Sequence, residues 1–158
     1  MNNLTEKAKD IIQNILYITI ATSSTDGQPW NTPVYAAYDD EFNFYWASDK
    51  NGKHSKNIAE NNKIFIVIYD SNAPLGTGEG VYILAKAHSL SQEDEIKKGL
   101  ELLDTRAGNA PVSKPNEFLE VYPRRIYKAI PEKIWLNGDG EVDGNYIDIR
   151  MAVDLLHK

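Results

Sequence analysis

A short basic segment, Ser48–Lys56, holds the side chains with the clearest chemical potential in the chain. It contributes hydroxyl, imidazole and ammonium groups from Ser48, Lys50, Lys53, His54, Ser55 and Lys56. A strand is predicted just before it, at Phe42–Ala47, and a short helix is predicted to begin near Ser55. The first N–H groups of a helix lack helical partners and the helix dipole favours negative charge there, so the segment indicates a phosphate-binding turn. The residues alone leave open a lysine-rich turn that only faces solvent.

Two aromatic residues, Tyr45 and Trp46, come directly before this segment. A phosphorylated planar ligand would use both features, with cations and N–H groups for the phosphate and aromatic or strand surfaces for the ring. The residues therefore indicate an anionic aromatic cofactor.

Other arrangements of reactive residues are weaker. The histidines, His54, His88 and His157, show no metal-ligand spacing, and the chain has no cysteine. No metal site is predicted, and thiolate catalysis and disulfides are excluded. The glycine-rich run Gly76–Gly80 lacks the lysine and hydroxyl residue that end a phosphate loop, so it is interpreted as a mobile loop. No side chain stands out as a general acid or base, and the catalytic residues stay unknown.

The composition is that of an ordinary globular protein, with 158 residues, 42% of them hydrophobic, and a net charge of −6. The length predicts a single domain spanning residues 1–158. The acidic balance argues against a nucleic-acid binder, which needs an extended basic surface. No apolar run approaches the roughly 20 residues of a membrane-spanning helix. The N-terminus lacks the pattern of a secretory signal, so a cytoplasmic location without membrane association is expected.

The elements that would position the basic segment are mostly strands. Helices are predicted at residues 4–16, 54–61 and 92–103, and the other segments alternate or are apolar at strand length. Predicted strands cover residues 17–23, 30–38, 42–47, 64–69, 81–90, 118–122, 125–130 and 133–136, and a glycine-rich turn covers residues 137–144. Residues 64–69 are apolar throughout and are expected to be central and covered on both faces. Pro33 places the second strand at an edge, at a bulge or against a ligand.

Because most strands follow one another through short turns, the pattern predicts a mainly β protein of the α+β class, an antiparallel barrel with appended helices.

In order and spacing, these segments resemble the pyridoxamine 5′-phosphate oxidase-like family of split-barrel flavoproteins. The resemblance covers roughly residues 10–153. It is carried by ITIATSSTDGQPWNTPVYAAYDDEFNFYWAS, KHSKNIAENNKIFIVIYDS, GVYILAKAHSL and PEKIWLN…YIDIRMAVDL. It implies a six-stranded antiparallel split β-barrel with short appended helices, and a homodimer that binds FMN at the subunit interface.

The resemblance also implies a set of cofactor contacts. Thr32, Pro33 and Val34 match strand positions whose backbone lies against the flavin ring. Trp46, Ala47 and Ser48 match the neighbouring strand end, beside the ring and the ribityl chain. The phosphate-binding turn corresponds to Lys53, His54, Ser55 and Lys56. His54 stands where many members have lysine or arginine, and a nearby phosphate dianion is expected to raise its pKa.

The C-terminal region resembles the part of the family that reaches the partner subunit's flavin, through Trp135 and Arg150. It departs from the pyridoxamine phosphate oxidising enzyme at residues 148–150, which lack that enzyme's histidine, and in a longer insertion at residues 137–144. The substrate is therefore left as an unidentified small molecule. The loop Ala73–Gly80, with Tyr82 behind it, is the predicted substrate-side wall.

The predicted function is that of an FMN-dependent oxidoreductase whose chemistry is supplied by the flavin. Three alternatives stay open. A non-catalytic flavin-binding sensor or carrier fits the same residues. A deazaflavin-dependent reductase uses the same fold, although that cofactor's long acidic tail would need a broader basic groove. A haem-degrading relative would need an axial ligand, for which His88 and His157 are poor candidates.

Overall fold

The computed structural model describes residues 3–110 and 114–156, so His157 lies outside the described residues. Its helices are α1 (Asn3–Asn14), α2 (Lys53–Glu60) and α3 (Glu93–Arg106), followed by a short 3-10 helix (Pro115–Phe118). Its strands are β1 (Tyr17–Ser23), β2 (Pro29–Tyr35), β3 (Ala37–Tyr38), β4 (Phe44–Asp49), β5 (Lys63–Tyr69), β6 (Gly80–Ser89), β7 (Arg124–Val142) and β8 (Asn145–Ala152).

The strands form one antiparallel sheet in the order β2–β1–β5–β6–β7–β4–β3, and β8 adds to the far end of β7. The sheet curls, so that β2 and β4 lie near each other although neither appears as the other's ladder partner among the described residues. This gap between two strands is the split of the barrel. The structure confirms the predicted α+β class, a split barrel of antiparallel strands with appended helices.

The described part of the chain contains eight strands, whereas the family resemblance implies a six-stranded barrel. Part of the difference comes from a break after β2, where the Ala36 N–H turns to donate to the Leu16 carbonyl at 3.1 Å and leaves β3 as a two-residue strand. The rest comes from β8, which pairs with the end of β7, including residues 137–142 that are predicted to be a turn.

The prediction of a glycine-rich turn at residues 137–144 is wrong. β7 continues to Val142, and only Asp143 and Gly144 turn, with φ of 51° and 77°. Gly138 lies in the strand, where a Cβ would come within 2.6 Å of the Met151 side chain. Here glycine makes room for a cross-strand side chain, so its presence does not mark a loop.

Two other strand predictions also differ from the structure. Residues 118–122, predicted as a strand, form the end of the 3-10 helix and a turn in which Glu120 has a φ of 47°. Residues 125–130 and 133–136, predicted as separate strands, belong to the single strand β7. The chain passes Pro131 without a break because the ladder with β6 shifts register between Leu84 and Ala85.

The core has two parts. The larger fills the barrel and includes Ile20, Ile66, Ile83 and Trp46, all fully buried. The predicted central strand, β5, does lie between β1 and β6. Its side chains alternate between buried and half-buried, so the prediction that both faces are covered is wrong.

The smaller core lies under α3 and holds that helix against β4 and β7 through Tyr45, Ile96, Leu100, Phe118 and Ile126. Gly99 permits the close contact, since a Cβ there would lie 2.9 Å from Ile126 Cγ2 and 3.1 Å from Tyr45 Cδ1. At the same place, Lys98 Nζ donates to Asp39 Oδ2 at 2.8 Å and ties α3 to the turn before β4. Helix α3 is therefore fixed beside the split of the barrel.

Among the described residues, no helix is both long and apolar enough to cross a membrane. The expected cytoplasmic location stays a prediction.

Candidate cofactor pocket

A cavity of about 500 Å³ opens at the split of the barrel, between β2, β4, α2 and α3. Ligand pockets commonly enclose about 300–1,000 Å³, so the cavity has the size of a cofactor site. Its walls include six of the residues predicted from the family resemblance. These are Thr32, Pro33, Val34, Ala47, Ser48 and His54.

Strand β2 supplies the exposed edge of the sheet at this cavity. Within residues 3–110 and 114–156 it pairs only with β1, in a register that places Pro33 opposite Thr19. Backbone groups on its other edge are therefore available to a ligand. Proline is tolerated on such an edge, which agrees with the prediction that this strand lies at an edge or faces a ligand.

Helix α2 begins at the mouth of the cavity and carries His54 in its first turn. Gly52 precedes the helix in an extended conformation, and the part of the chain described here contributes no side-chain cap to it. The Gly52 N–H instead donates to the Asp49 carbonyl at 3.0 Å. Because no side chain among the described residues caps them, the first-turn N–H groups of α2 are available to bind an anion.

The His54 imidazole is half-buried, and its Nε2 atom has no hydrogen-bond partner among the described residues. Burial lowers the pKa of His54 below its usual value of 6.5. This shift favours the neutral imidazole, in which a ring nitrogen either donates or accepts a hydrogen bond. His54 borders the cavity, and an unpaired buried polar atom on such a residue is the kind of group that a ligand satisfies.

The structure does not bring the other predicted residues to this cavity. Trp46 is 0% exposed and stacks on Tyr127 inside the barrel, with ring centroids 5.6 Å apart. Lys53 and Lys56 are exposed on α2, and Ser55 is buried on a side of the helix that borders a different cavity. Their contacts with a cofactor phosphate stay predictions.

Trp135 and Arg150 lie together on the β6–β7–β8 part of the sheet. Trp135 stacks on Phe65 at 6.4 Å, and the Arg150 guanidinium lies 4.1 Å from the Tyr82 ring centroid. Arg150 also pairs with Asp148 at 2.6 Å. In one chain these residues do not border the β2–β4 cavity, and their role at a partner's flavin stays a prediction.

The predicted substrate-side loop, Ala73–Gly80, lies elsewhere. Ala73, Thr77 and Glu79 border a cavity beside α1, and Glu79 pairs with Lys7 of that helix. The wall opposite β2 is instead formed by α3, the 3-10 helix and the start of β7. The residues that sequence reasoning missed are Tyr35, Leu100, Leu103, Asp104, Ala107, Phe118 and Arg124.

A signal for part of this wall was present in the sequence. Ile96, Leu100 and Leu103 recur at helical spacing and form one apolar face of the predicted helix 92–103. That face does pack in the core through Ile96 and Leu100, but it continues to Leu103 at the cavity. The contribution of Arg124, whose guanidinium lies 5.3 Å from the Phe118 ring centroid, depends on tertiary contacts.

The comparisons with known proteins agree with this architecture. The family model described as pyridoxamine 5′-phosphate oxidase matches residues 4–130. The chain belongs to this family. No curated protein matches the sequence.

Several solved structures share the fold at low sequence identity. A candidate 5-nitroimidazole antibiotic resistance protein from Bacteroides thetaiotaomicron superposes with a TM-score of 0.72 and 13% identity, covering 85% of this chain and 84% of that one. A heme binding protein from Mycobacterium smegmatis gives a TM-score of 0.68 and 15% identity over 95% of this chain and 59% of that one. An F420 reductase gives a TM-score of 0.58 and 18% identity over 80% of this chain and 94% of that one. At these identities the likeness shows the fold alone.

Proposed function

We propose that the chain forms a homodimer that binds FMN in the β2–β4 cavity and acts as an oxidoreductase on a small molecule. The observation that carries the proposal is the meeting of an open sheet edge, a strand end and the unpaired His54 Nε2 around one cavity of about 500 Å³. Each part suits one part of FMN, which has a flat ring, a polyhydroxylated chain and a phosphate.

The residues present fit this cofactor. The backbone of Thr32–Val34 offers an extended edge to a planar ring, and Ala47 is small enough to leave space beside it. Ser48 supplies a hydroxyl at the position expected for the ribityl chain. His54 and the uncapped first turn of α2 would receive the phosphate.

When bound, FMN supplies hydride or electron transfer itself, and the protein's task is to orient it and to limit solvent. Leu100, Leu103 and Phe118 form an apolar wall on the α3 side of the cavity. Such a wall keeps water from the reacting face and favours an organic substrate. Arg124 and Asp104, which border the same cavity, are the charged groups placed to select its polar substituents.

A homodimer would explain why Trp135 and Arg150 do not border the cavity within a single chain. The β7–β8 hairpin exposes apolar side chains, with Val142 54%, Tyr146 69% and Ile147 38% accessible. A two-stranded ribbon of this kind is only marginally stable in water without a packing partner. A second subunit would cover it, and would allow Trp135 and Arg150 to approach the partner's flavin as the family resemblance implies.

The test is to purify the protein and identify by mass spectrometry the small molecule that denaturation releases. FMN is expected. Release of F420 or haem, the ligands in the names of two structural neighbours, would replace FMN in the proposal. A colourless protein that also fails to bind added FMN would refute it.

Turnover is tested separately, by anaerobic reduction of the bound flavin with a nicotinamide donor and reoxidation by added acceptors. If FMN binds tightly but no donor reduces it and the reduced form reacts with no acceptor, the protein is a flavin sensor or carrier.

A further inference from the structure

A second cavity, of about 460 Å³, lies on the other side of α2, between that helix and the ends of β6 and β7. Its polar lining comes from Lys50, Ser55, Asn62, His88, Ser89, Arg125 and Tyr127. No aspartate or glutamate is among the described residues that border it. The cavity is therefore cationic and rich in hydroxyl groups, in a protein whose net charge is −6.

Two cations are held at this cavity by backbone carbonyls. Lys50 Nζ and Arg125 Nη2 both donate to the Glu120 carbonyl, at 3.1 Å and 2.7 Å. Arg125 Nη1 donates to the Tyr122 carbonyl at 2.6 Å. Carbonyls fix the positions of these side chains but do not neutralise them, and the described structure gives neither cation an ion pair. Both cations also keep unused N–H donors, since an ammonium has three and a guanidinium five.

Ser55 adds a buried hydroxyl to the same cavity. The residue is only 2% exposed, and its Oγ has no hydrogen-bond partner among the described residues. The nearby Tyr127 phenol has its pKa raised by burial and lowered to a smaller extent by the Ser55 hydroxyl. The Ser55 hydroxyl therefore lies close to the Tyr127 phenol, although no hydrogen bond of full geometry joins the Ser55 Oγ atom to any described residue. Buried polar groups are nearly always paired, and an unpaired one at a cavity indicates a missing partner.

We propose that this cavity binds a small phosphate monoester, at a site separate from the flavin. Lys50 and Arg125 would contact the phosphate, and Ser55 would donate to one of its oxygens. Ile58, Ala59 and Ala87, which also border the cavity, would pack against the organic part of the ligand. Helix α2 would form a wall shared by two sites, with His54 at one and Ser55 at the other.

The test is calorimetric titration of the full-length protein with inorganic phosphate, glycerol 1-phosphate and glycerol, with and without saturating FMN. The phosphate monoester is expected to bind in both states and glycerol in neither. If neither phosphate probe binds the protein in either state, the proposal is wrong. If FMN abolishes binding of the phosphate probes, they occupy the flavin cavity and the proposal is also wrong. The titration without FMN tests for a phosphate site even if the protein does not bind FMN, so failure of this proposal can be told from failure of the proposed function.

Lys50→Gln sharpens the test because glutamine keeps a donor for the Glu120 carbonyl while removing the charge. It should weaken glycerol 1-phosphate binding about tenfold or more, the effect expected for loss of one charge-assisted hydrogen bond. Lys63→Gln, an equal charge change at an exposed lysine of β5, should leave binding unchanged. FMN affinity should be the same in Lys50→Gln and in the unmodified protein.

Equal weakening of glycerol 1-phosphate binding by Lys50→Gln and Lys63→Gln would show non-specific attraction and overturn the site. If Lys50→Gln is unstable, Ser55→Ala provides the same readout, and unchanged phosphate affinity in that variant would overturn the role of Ser55.

Discussion

The Asp39 carboxylate offers a stability prediction whose size follows from its contacts. It is 7% exposed and accepts hydrogen bonds from Lys98 Nζ at 2.8 Å, Tyr45 Oη at 3.0 Å and the Asn43 N–H at 3.0 Å. Burial alone would raise the pKa of Asp39, but the bonds from Lys98, Asn43 and Tyr45 outweigh it and hold the pKa at about 2, against 3.8 normally.

The difference between these two pKa values sets how much stability the Asp39 carboxylate contributes and how that contribution changes with pH. At about 1.36 kcal/mol per pH unit, a pKa of about 2 in place of 3.8 corresponds to about 2 kcal/mol of stability. Because the folded-state pKa is depressed, the contribution is fully present above pH 3.8 and is lost as the pH falls from there through about 2. Asp39→Asn should therefore lower the free energy of unfolding by about 2 kcal/mol at pH 7, and by much less near pH 2.

Urea unfolding followed by tryptophan fluorescence, at pH 7 and at several values below 4, measures this difference. Asp40→Asn is the matched control, because Asp40 is the next residue, carries the same charge and is exposed. The reasoning is refuted if the two variants lose equal stability at pH 7. It is also refuted if the deficit of Asp39→Asn does not shrink at low pH.

Three further predictions concern the cavity and the helices beside it. His54→Ala should weaken FMN binding by about 1.5–3 kcal/mol, with a much smaller effect on riboflavin, and equal losses in parallel fluorescence titrations would remove His54 from the phosphate site. In the unmodified protein FMN affinity, measured relative to riboflavin, should increase as the pH falls from 8 towards 6, because burial lowers the pKa of His54 in the free protein and a bound phosphate would raise it. A flat FMN-to-riboflavin ratio across that range would contradict proton uptake by His54. Gly99→Ala should destabilise the fold by about 1–3 kcal/mol in thermal unfolding, since the new methyl group meets buried Ile126 and Tyr45, whereas Gly78→Ala, in open space, should be near neutral.

Sequence reasoning was most successful where one short segment determines the local structure. Strand β1 and the strand–turn–helix around Ser48–His54 follow from local patterns, and the structure forms both of them. The family resemblance then related β2 to that turn, and the structure brings Thr32–Val34, Ala47, Ser48 and His54 around one cavity.

The remaining features depend on side-chain direction and on contacts between distant segments. His54 and Ser55 are neighbours in the chain but point to different cavities, because successive helical residues are about 100° apart. Sequence pattern could not decide that Trp46 turns into the barrel while Ala47 lines the cavity. Nor could it distinguish glycines that form a turn from Gly138, which lies beneath Met151 in a strand.

The central claim is that FMN occupies the cavity between β2, β4, α2 and α3. The most direct measurement is the change in backbone amide chemical shifts when FMN is added to isotope-labelled protein. The largest changes should occur at Thr32, Val34, Ser48 and His54, with riboflavin reproducing those of β2 and β4 but not that of His54. No binding, or FMN-induced shifts confined to residues away from this cavity, would contradict the claim.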